Sequence, residues 1–175
     1  MLERKPIKHL LMIDTDDFLS NTIEKFMIRY DYEVRLEKNS EYIPSLLKKQ
    51  RFDLILLEHN PIINKGLYWL KWLNNEYPAI PIMITSNHAN EHERLEGLEN
   101  GARDYLLKPF HEKELLIRIN NILRKEEDRK NKKLEIKIGN VLFNSITNSI
   151  KKEDSEIKLT LIEANILKIL YLNAQ

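Results

Sequence analysis

The chain has 175 residues, 42% hydrophobic and 31% charged, with a formal net charge of +1 and no cysteine. That length suits one full domain and part of a second. The missing cysteine excludes disulfides and thiolate metal sites, and a near-neutral total neither demands nor forbids nucleic acid, because a local basic face can sit inside a balanced sum. The longest apolar runs, around Leu54–Leu57 and Ile80–Ile84, are strand-sized and far short of a membrane span. The segment before Asp14 lacks the apolar region of a signal peptide, so no membrane and a cytoplasmic location are expected. In chain order, His9–Ile13 reads as a strand, and Phe18, Ile23, Phe26, Met27 and Tyr30 recur at helical spacing. Glu33–Glu37 alternates like an edge strand. Tyr42, Leu46 and Leu47 mark a helix capped by Asn39 or Ser40. Leu54–Leu57 is a buried-strand run, Gly66–Glu76 a helix, Ile82–Thr85 a strand and Glu91–Asn100 a helix closed by Gly101. Tyr105–Leu107 is a short strand, and Glu112–Glu126 a helix with Leu115, Leu116, Ile119, Ile122 and Leu123 inward.

Five strand–helix units imply a doubly wound parallel sheet with helices on both faces. Ligand sites in such a sheet lie at the carboxyl ends of the strands, here Asp14, Glu58, Thr85 and Lys108. Residues 124–133 (RKEEDRKNKK) read as a solvated helix end and linker, which closes a first domain at residues 1–123. After it, Leu134–Ile138, Val141–Asn144, Thr147–Ile150 and Glu156–Leu159 are short strand-like runs, with Gly139-Asn140 as a turn. Thr160 and Glu163 form a capping box, and Ile162, Ile166, Ile169 and Leu170 give the following helix an apolar stripe. Residues 134–175 therefore read as a small antiparallel sheet plus one helix.

The stretch Pro81-Ile82-Met83-Ile84-Thr85-Ser86, the run from Glu93-Arg94-Leu95-Glu96-Gly97-Leu98 to Asp104-Tyr105-Leu106-Leu107-Lys108-Pro109-Phe110, then Glu114-Leu115 and Arg118-Ile119, resemble the OmpR/PhoB type of two-component response regulator. Leu159-Thr160 with Glu163 is similar to the first helix of that family's winged-helix effector. The resemblance implies a flavodoxin/CheY-like (βα)5 receiver followed by the first part of a winged-helix DNA-binding domain. Its phosphorylation site uses an acceptor aspartate, two acids that hold Mg²⁺, a hydroxyl residue and a lysine. Mg²⁺ demands oxygen ligands in near-octahedral array, and charge on the transferring group must be neutralised.

By that resemblance Asp14 occupies the first acidic position, Thr85 is the hydroxyl, and Lys108 is the ammonium, joined to Pro109 by an expected cis bond. Thr15 stands where the main Mg²⁺ carboxylate belongs and Glu58 where the acceptor belongs, with the register set by Gly66 eight residues on; Pro61 lies one residue early. Asp14, Glu58 and Lys108 sum to −1 where the full set gives −2, so Mg²⁺ binding is expected to be weak or lost. Asp14 and Asp16 remain the weak metal candidates, Asp16 only if it turns inward. Glu58 is one methylene longer than Asp, which misplaces its carboxylate for in-line attack and brings it toward Lys108 and Thr85. Two readings stay open: Glu58 with Lys108 imitates a phosphorylated site, or Glu58 and Thr15 mark decay of an unused one. Both make phosphorylation by a sensor kinase doubtful.

The resemblance also implies a homodimer through the last two receiver helices and the strand between them. Arg94 with Glu114 and Asp104 with Arg118 match intersubunit ion pairs, and Leu95, Leu98 and Leu115 would supply an apolar patch. Arg103 replaces a common acidic residue, and Tyr105 matches the switch aromatic whose inward or outward position reports activation. His88 and His92, four apart, lack a third ligand and read as surface residues. Trp69 and Trp72 read as partly packed on the sheet. No glycine-rich phosphate loop or Ser-His-Asp arrangement points to an enzyme. Two functions are expected to compete: a phosphorylation-independent transcriptional regulator, which binds DNA only with its full effector domain, and a receiver-based dimerisation module.

Overall fold

The computed structural model describes residues 6–60, 66–87, 90–133, 135–153 and 155–172. The chain forms two compact units, Met1–Leu123 and Arg124–Gln175. The first contains β1 (Lys8–Ile13), α1 (Asp17–Met27), β2 (Tyr32–Glu37), α2 (Ile43–Lys49), β3 (Leu54–Glu58), α3 (Gly66–Glu76), β4 (Ile82–Ser86), α4 (Glu91–Glu99) and β5 (Asp104–Leu107). The next helix, α5 (Glu112–Lys133), begins in the first unit and ends in the second. The sheet order is β2-β1-β3-β4-β5, all parallel.

Side-chain alternation along the strands divides the core between the two sheet faces. Leu10 and Met12 of β1, with Leu54 and Leu56 of β3, face a cluster that includes Ile23, Phe26 and Met27 of α1 and Leu115, Ile119 and Ile122 of α5. Leu11 and Ile13, with Ile55 and Leu57, face the opposite cluster, built from Ile43 of α2 and Trp69, Leu70 and Leu73 of α3. Both central strands are buried on both faces, which explains their continuous apolar runs. β2 alternates because it is an edge strand.

Several expectations shift. Phe18 was counted with the α1 stripe, but the structure exposes it by 83%. Asp16 caps the helix, and Phe18 falls in its first turn on the outer side. Tyr42 belongs to a 3₁₀ turn capped by Asn39 and is exposed, whereas Ile43 is buried. The charge run 124–133 is helical to Lys133 rather than linker. Most of its residues, Arg, Lys and Glu, are good helix formers. Glu126 precedes Lys130 at the favoured i,i+4 spacing, and Arg129 lies 3.2 Å from Glu126.

The second unit adds β6 (Glu135–Ile138), β7 (Val141–Asn144), β8 (Ser149–Lys152), β9 (Ser155–Lys158) and α6 (Leu161–Leu172). The strands form an antiparallel sheet in chain order. β8 begins at Ser149, not Thr147, because Asn144 Oδ1 accepts the N–H groups of Ile146 and Thr147 and turns the chain there. At the start of α6 the Thr160 N–H and hydroxyl both donate to Glu163 Oε2 at 2.8 Å. Phe143 and Ala164 are fully buried, while Leu161, Ile162, Ile166, Ile169 and Leu170 remain exposed. Among the described residues no helix is long and apolar enough to cross a membrane.

Candidate functional site

Four strand ends converge. Asp14 follows β1, where its N–H is held by the Glu37 carbonyl at 3.1 Å. Glu58 ends β3 and pairs in register with Thr85 of β4. The Thr85 carbonyl in turn accepts the His59 N–H at 2.8 Å. Lys108 follows β5; its N–H bonds the Ser86 carbonyl at 2.7 Å, and its bond to Pro109 is cis. Gly66, the first residue of α3, permits the close approach of that helix to β3: a Cβ there would meet the Glu58 carbonyl oxygen at 2.8 Å and His59 Cα at 2.9 Å.

The centre of this convergence is a buried ammonium between two carboxylates. Lys108 Nζ lies 2.9 Å from Glu58 Oε1 and 2.7 Å from Asp14 Oδ2. It also donates to Asp14 Oδ1 at 2.9 Å. The three side chains are 6%, 3% and 0% exposed in the order Lys108, Glu58, Asp14. Thr15 clamps the other Glu58 oxygen, with its hydroxyl donating to Oε2 at 2.8 Å and its N–H at 3.1 Å. Asp14 Oδ1 also accepts the Asp16 N–H at 3.0 Å.

The two carboxyls respond in opposite directions. Burial pushes Asp14 upward and outweighs the Lys108 and Asp16 bonds that pull it down. Burial also pushes Glu58 upward, but the bonds from Lys108 and Thr15 together hold it below the usual carboxylate range.

These residues do not fit a divalent cation. A hard cation needs several oxygens free to point at it. The oxygens of Asp14 and Glu58 already face Lys108, Thr15 and the Asp16 N–H. Asp16 does not turn inward; its Oδ1 accepts the Leu19 N–H at 3.0 Å and caps α1. Among the described residues no group of three His, Asp or Glu side chains is placed to hold a metal.

Tyr105 lies inward, 5% exposed. Its ring rests against Gly97 of α4, where a Cβ would come 3.1 Å from Tyr105 Cδ2. Burial is the main cause that pushes its hydroxyl upward.

The face of α4, β5 and α5 is laid out differently from the expectation in one respect. Leu115 is fully buried and supplies no surface patch, because it belongs to the inward stripe of α5. Leu98 is half-buried against the α3-side core, and Leu95 is exposed. Within the chain Arg118 reaches Asp104 Oδ2 and Glu114 Oε1, each at 2.8 Å, and Arg94 reaches Glu91 at 3.1 Å. Reading the sequence missed His59, which is buried beside Glu58, and its neighbour Glu93; a single histidine after a strand carries no spacing signal. It also missed Asp16 as a cap, although an aspartate just before an apolar helical stripe is that signal. His88 and Pro61 lie outside the described residues, while His92 lies on α4.

The sequence model of the Response regulator receiver domain matches residues 10–120. The chain is 33% identical over 162 residues to Protein PetR of Rhodobacter capsulatus, covering 92% of this chain and 68% of PetR. It is 26% identical over 166 residues to Response regulator MprA of Mycolicibacterium vanbaalenii, covering 94% and 72% of the two chains. Among solved structures, a CheY-like response regulator receiver domain protein of Methanospirillum hungatei superposes with a TM-score of 0.66 at 20% identity, over 70% of this chain and 98% of that one. An orphan response regulator of H. pylori superposes at 0.63 with 22% identity, over 69% and 100%.

Proposed function

The chain is a member of the response regulator receiver domain family, and from that premise we propose that it is a regulator of the two-component type whose receiver is held in one state by its own side chains instead of by phosphorylation. The observation that carries this reading is the Lys108 ammonium, bonded at 2.7–2.9 Å to both Asp14 and Glu58. The lysine that would meet an incoming phosphoryl group is already engaged. Glu58 places a negative charge one carbon farther out than aspartate does, and Tyr105 lies inward. Both features favour imitation of the charged state over decay.

The donor set does not suit Mg²⁺, and the reading includes no metal-dependent step and no dependence on a sensor kinase. The test is incubation of the chain with a small acyl-phosphate donor and Mg²⁺, read by intact mass. No adduct is expected; a stoichiometric acyl-phosphate would overturn the reading.

The reading extends to transcription. Transcriptional regulatory protein DltR of Streptococcus agalactiae is 26% identical over 170 residues. The second unit, with its four-stranded sheet and α6, is read as part of a winged-helix effector. A second reading, dimerisation through α4, β5 and α5, is favoured by exposed Leu95 on α4 and by the Arg118, Asp104 and Glu114 charges on β5 and α5. Salt-dependent DNA binding supports the first; its absence together with concentration-dependent self-association supports the second.

A further inference from the structure

His59 follows Glu58 at the end of β3 and is 4% exposed. Its ring stands between two helices. Nδ1 lies against the start of α3, so near that a Cβ on Gly66 would come within 3.0 Å. Nε2 lies 3.7 Å from Oε2 of Glu93 in the first turn of α4. The other oxygen of Glu93 takes a 3.5 Å contact from Asn90, the α4 N-cap. Glu93 Oε2 is itself buried, and no hydrogen bond reaches it among the described residues.

A separation of 3.7 Å is an ion-pair distance and too long for a hydrogen bond. At that distance the ring gives Glu93 Oε2 no hydrogen bond in either protonation state, and a buried carboxylate oxygen without a donor is costly. A neutral ring has at most one N–H to offer it, whereas a protonated ring adds the opposite charge that draws the carboxylate in. We propose that His59 and Glu93 form a proton-operated clasp between the end of β3 and α4. A proton on His59 draws Glu93 in and anchors the first turn of α4. Loss of that proton releases it. The clasp does not depend on whether Glu58 accepts phosphate.

The surrounding charges pull His59 both ways. Glu93 from α4 favours the proton, and so does Glu58 on the same strand, although its carboxylate is engaged by Lys108 and Thr15. Burial, the Lys108 ammonium from the end of β5 and the positive N-terminus of α3 oppose it. β5 also brings the Tyr105 hydroxyl, which lies in the field of Glu93. Thr85 and Ser86 at the end of β4 bring no charge. Histidine is the side chain whose unperturbed charge change falls between about pH 5 and 8, the range over which such a clasp would act.

The experiment uses the full chain. Histidine ring resonances are followed by NMR from about pH 5 to 8, with His59 assigned through His59→Gln. Hydrogen exchange of the α4 amides is followed over the same range, corrected for intrinsic exchange. Glu93→Gln is expected to lower the His59 midpoint by about one unit. Protection of α4 is expected to rise as pH falls through that midpoint, and this dependence is expected to vanish in Glu93→Gln. Glu93→Gln keeps the side-chain shape, so it serves even if His59→Gln misfolds; assignment then comes from triple-resonance spectra. A His59 midpoint unmoved by Glu93→Gln, a His59 that does not titrate in this range, or α4 protection flat through the titration would each overturn the clasp.

Discussion

Lys108 contacts two carboxylates in a buried site, and the consequences of removing it follow from what is left behind. Lys108→Met would leave Asp14 and Glu58 facing each other without a cation. Breaking a buried pair on one side costs about 3 kcal/mol. The two carboxyls can escape that cost by taking up protons, so the loss is expected to be largest at neutral pH and to shrink as pH falls. Urea unfolding at several pH values measures it. The two carboxyls also contribute with opposite sign. Glu58 is held below its ordinary range, so its contribution is present above that range and disappears as pH falls through its lowered value. Asp14 is pushed up, so it costs stability as pH rises through its raised value. Asp14→Asn is expected to remove that decline, and Glu58→Gln to remove the acid-side loss. Phosphorylation is expected to need two changes at once. Glu58→Asp alone shortens the side chain but leaves Thr15 where a metal-binding acid is required. Glu58→Asp with Thr15→Asp supplies both, and a Mg²⁺-dependent phosphoryl adduct is expected only in the double variant, read by intact mass.

Gly66 governs how closely α3 seats on β3. A Cβ at that position meets backbone, the Glu58 carbonyl oxygen at 2.8 Å, which a side-chain rotation cannot relieve. Gly66→Ala is expected to cost about 2 kcal/mol, seen as a lower urea midpoint. The elements themselves were legible where burial imposes a pattern. β1 and β3 read as strands because both faces are covered, and α4 is closed by Gly101 just beyond its C-cap, where φ is +95°. How far α5 runs through the charge run 124–133 was not legible, because a solvated helix and a solvated linker share a composition. Leu115 misled for a related reason: a family position suggested surface, while the i, i+1, i+4 stripe of α5 takes it into the core. The strand-end residues Asp14, Glu58, Thr85 and Lys108 were legible as a group from topology alone. The approach of Glu58 to Lys108 was legible from the length of the glutamate side chain, but the Thr15 clamp on Glu58 was not, since it depends on side-chain directions that spacing does not contain.

Two surfaces are the candidates for self-association, and they differ in physical character. The α4, β5 and α5 face carries exposed Leu95 and charges that are already paired within the chain, Arg118 with Asp104 and Glu114. Exposed pairs of this kind contribute less than about 1 kcal/mol each, and salt weakens them further. The α6 face carries Leu161, Ile162, Ile166, Ile169 and Leu170, all more than half exposed, with few charges among them. Association through such a stripe is hydrophobic and is strengthened by sulfate. Sedimentation of the chain at low salt, at high sodium chloride and in sulfate separates the two. If the receiver face dominates, association falls with sodium chloride and Arg118→Glu yields monomers, while Leu161→Ser with Ile166→Ser leaves the dimer intact. If α6 dominates, sulfate raises association and the pattern of variants reverses. The receiver face is expected to give a salt-sensitive dimer that Arg118→Glu abolishes; a dimer unchanged by Arg118→Glu would rule that face out.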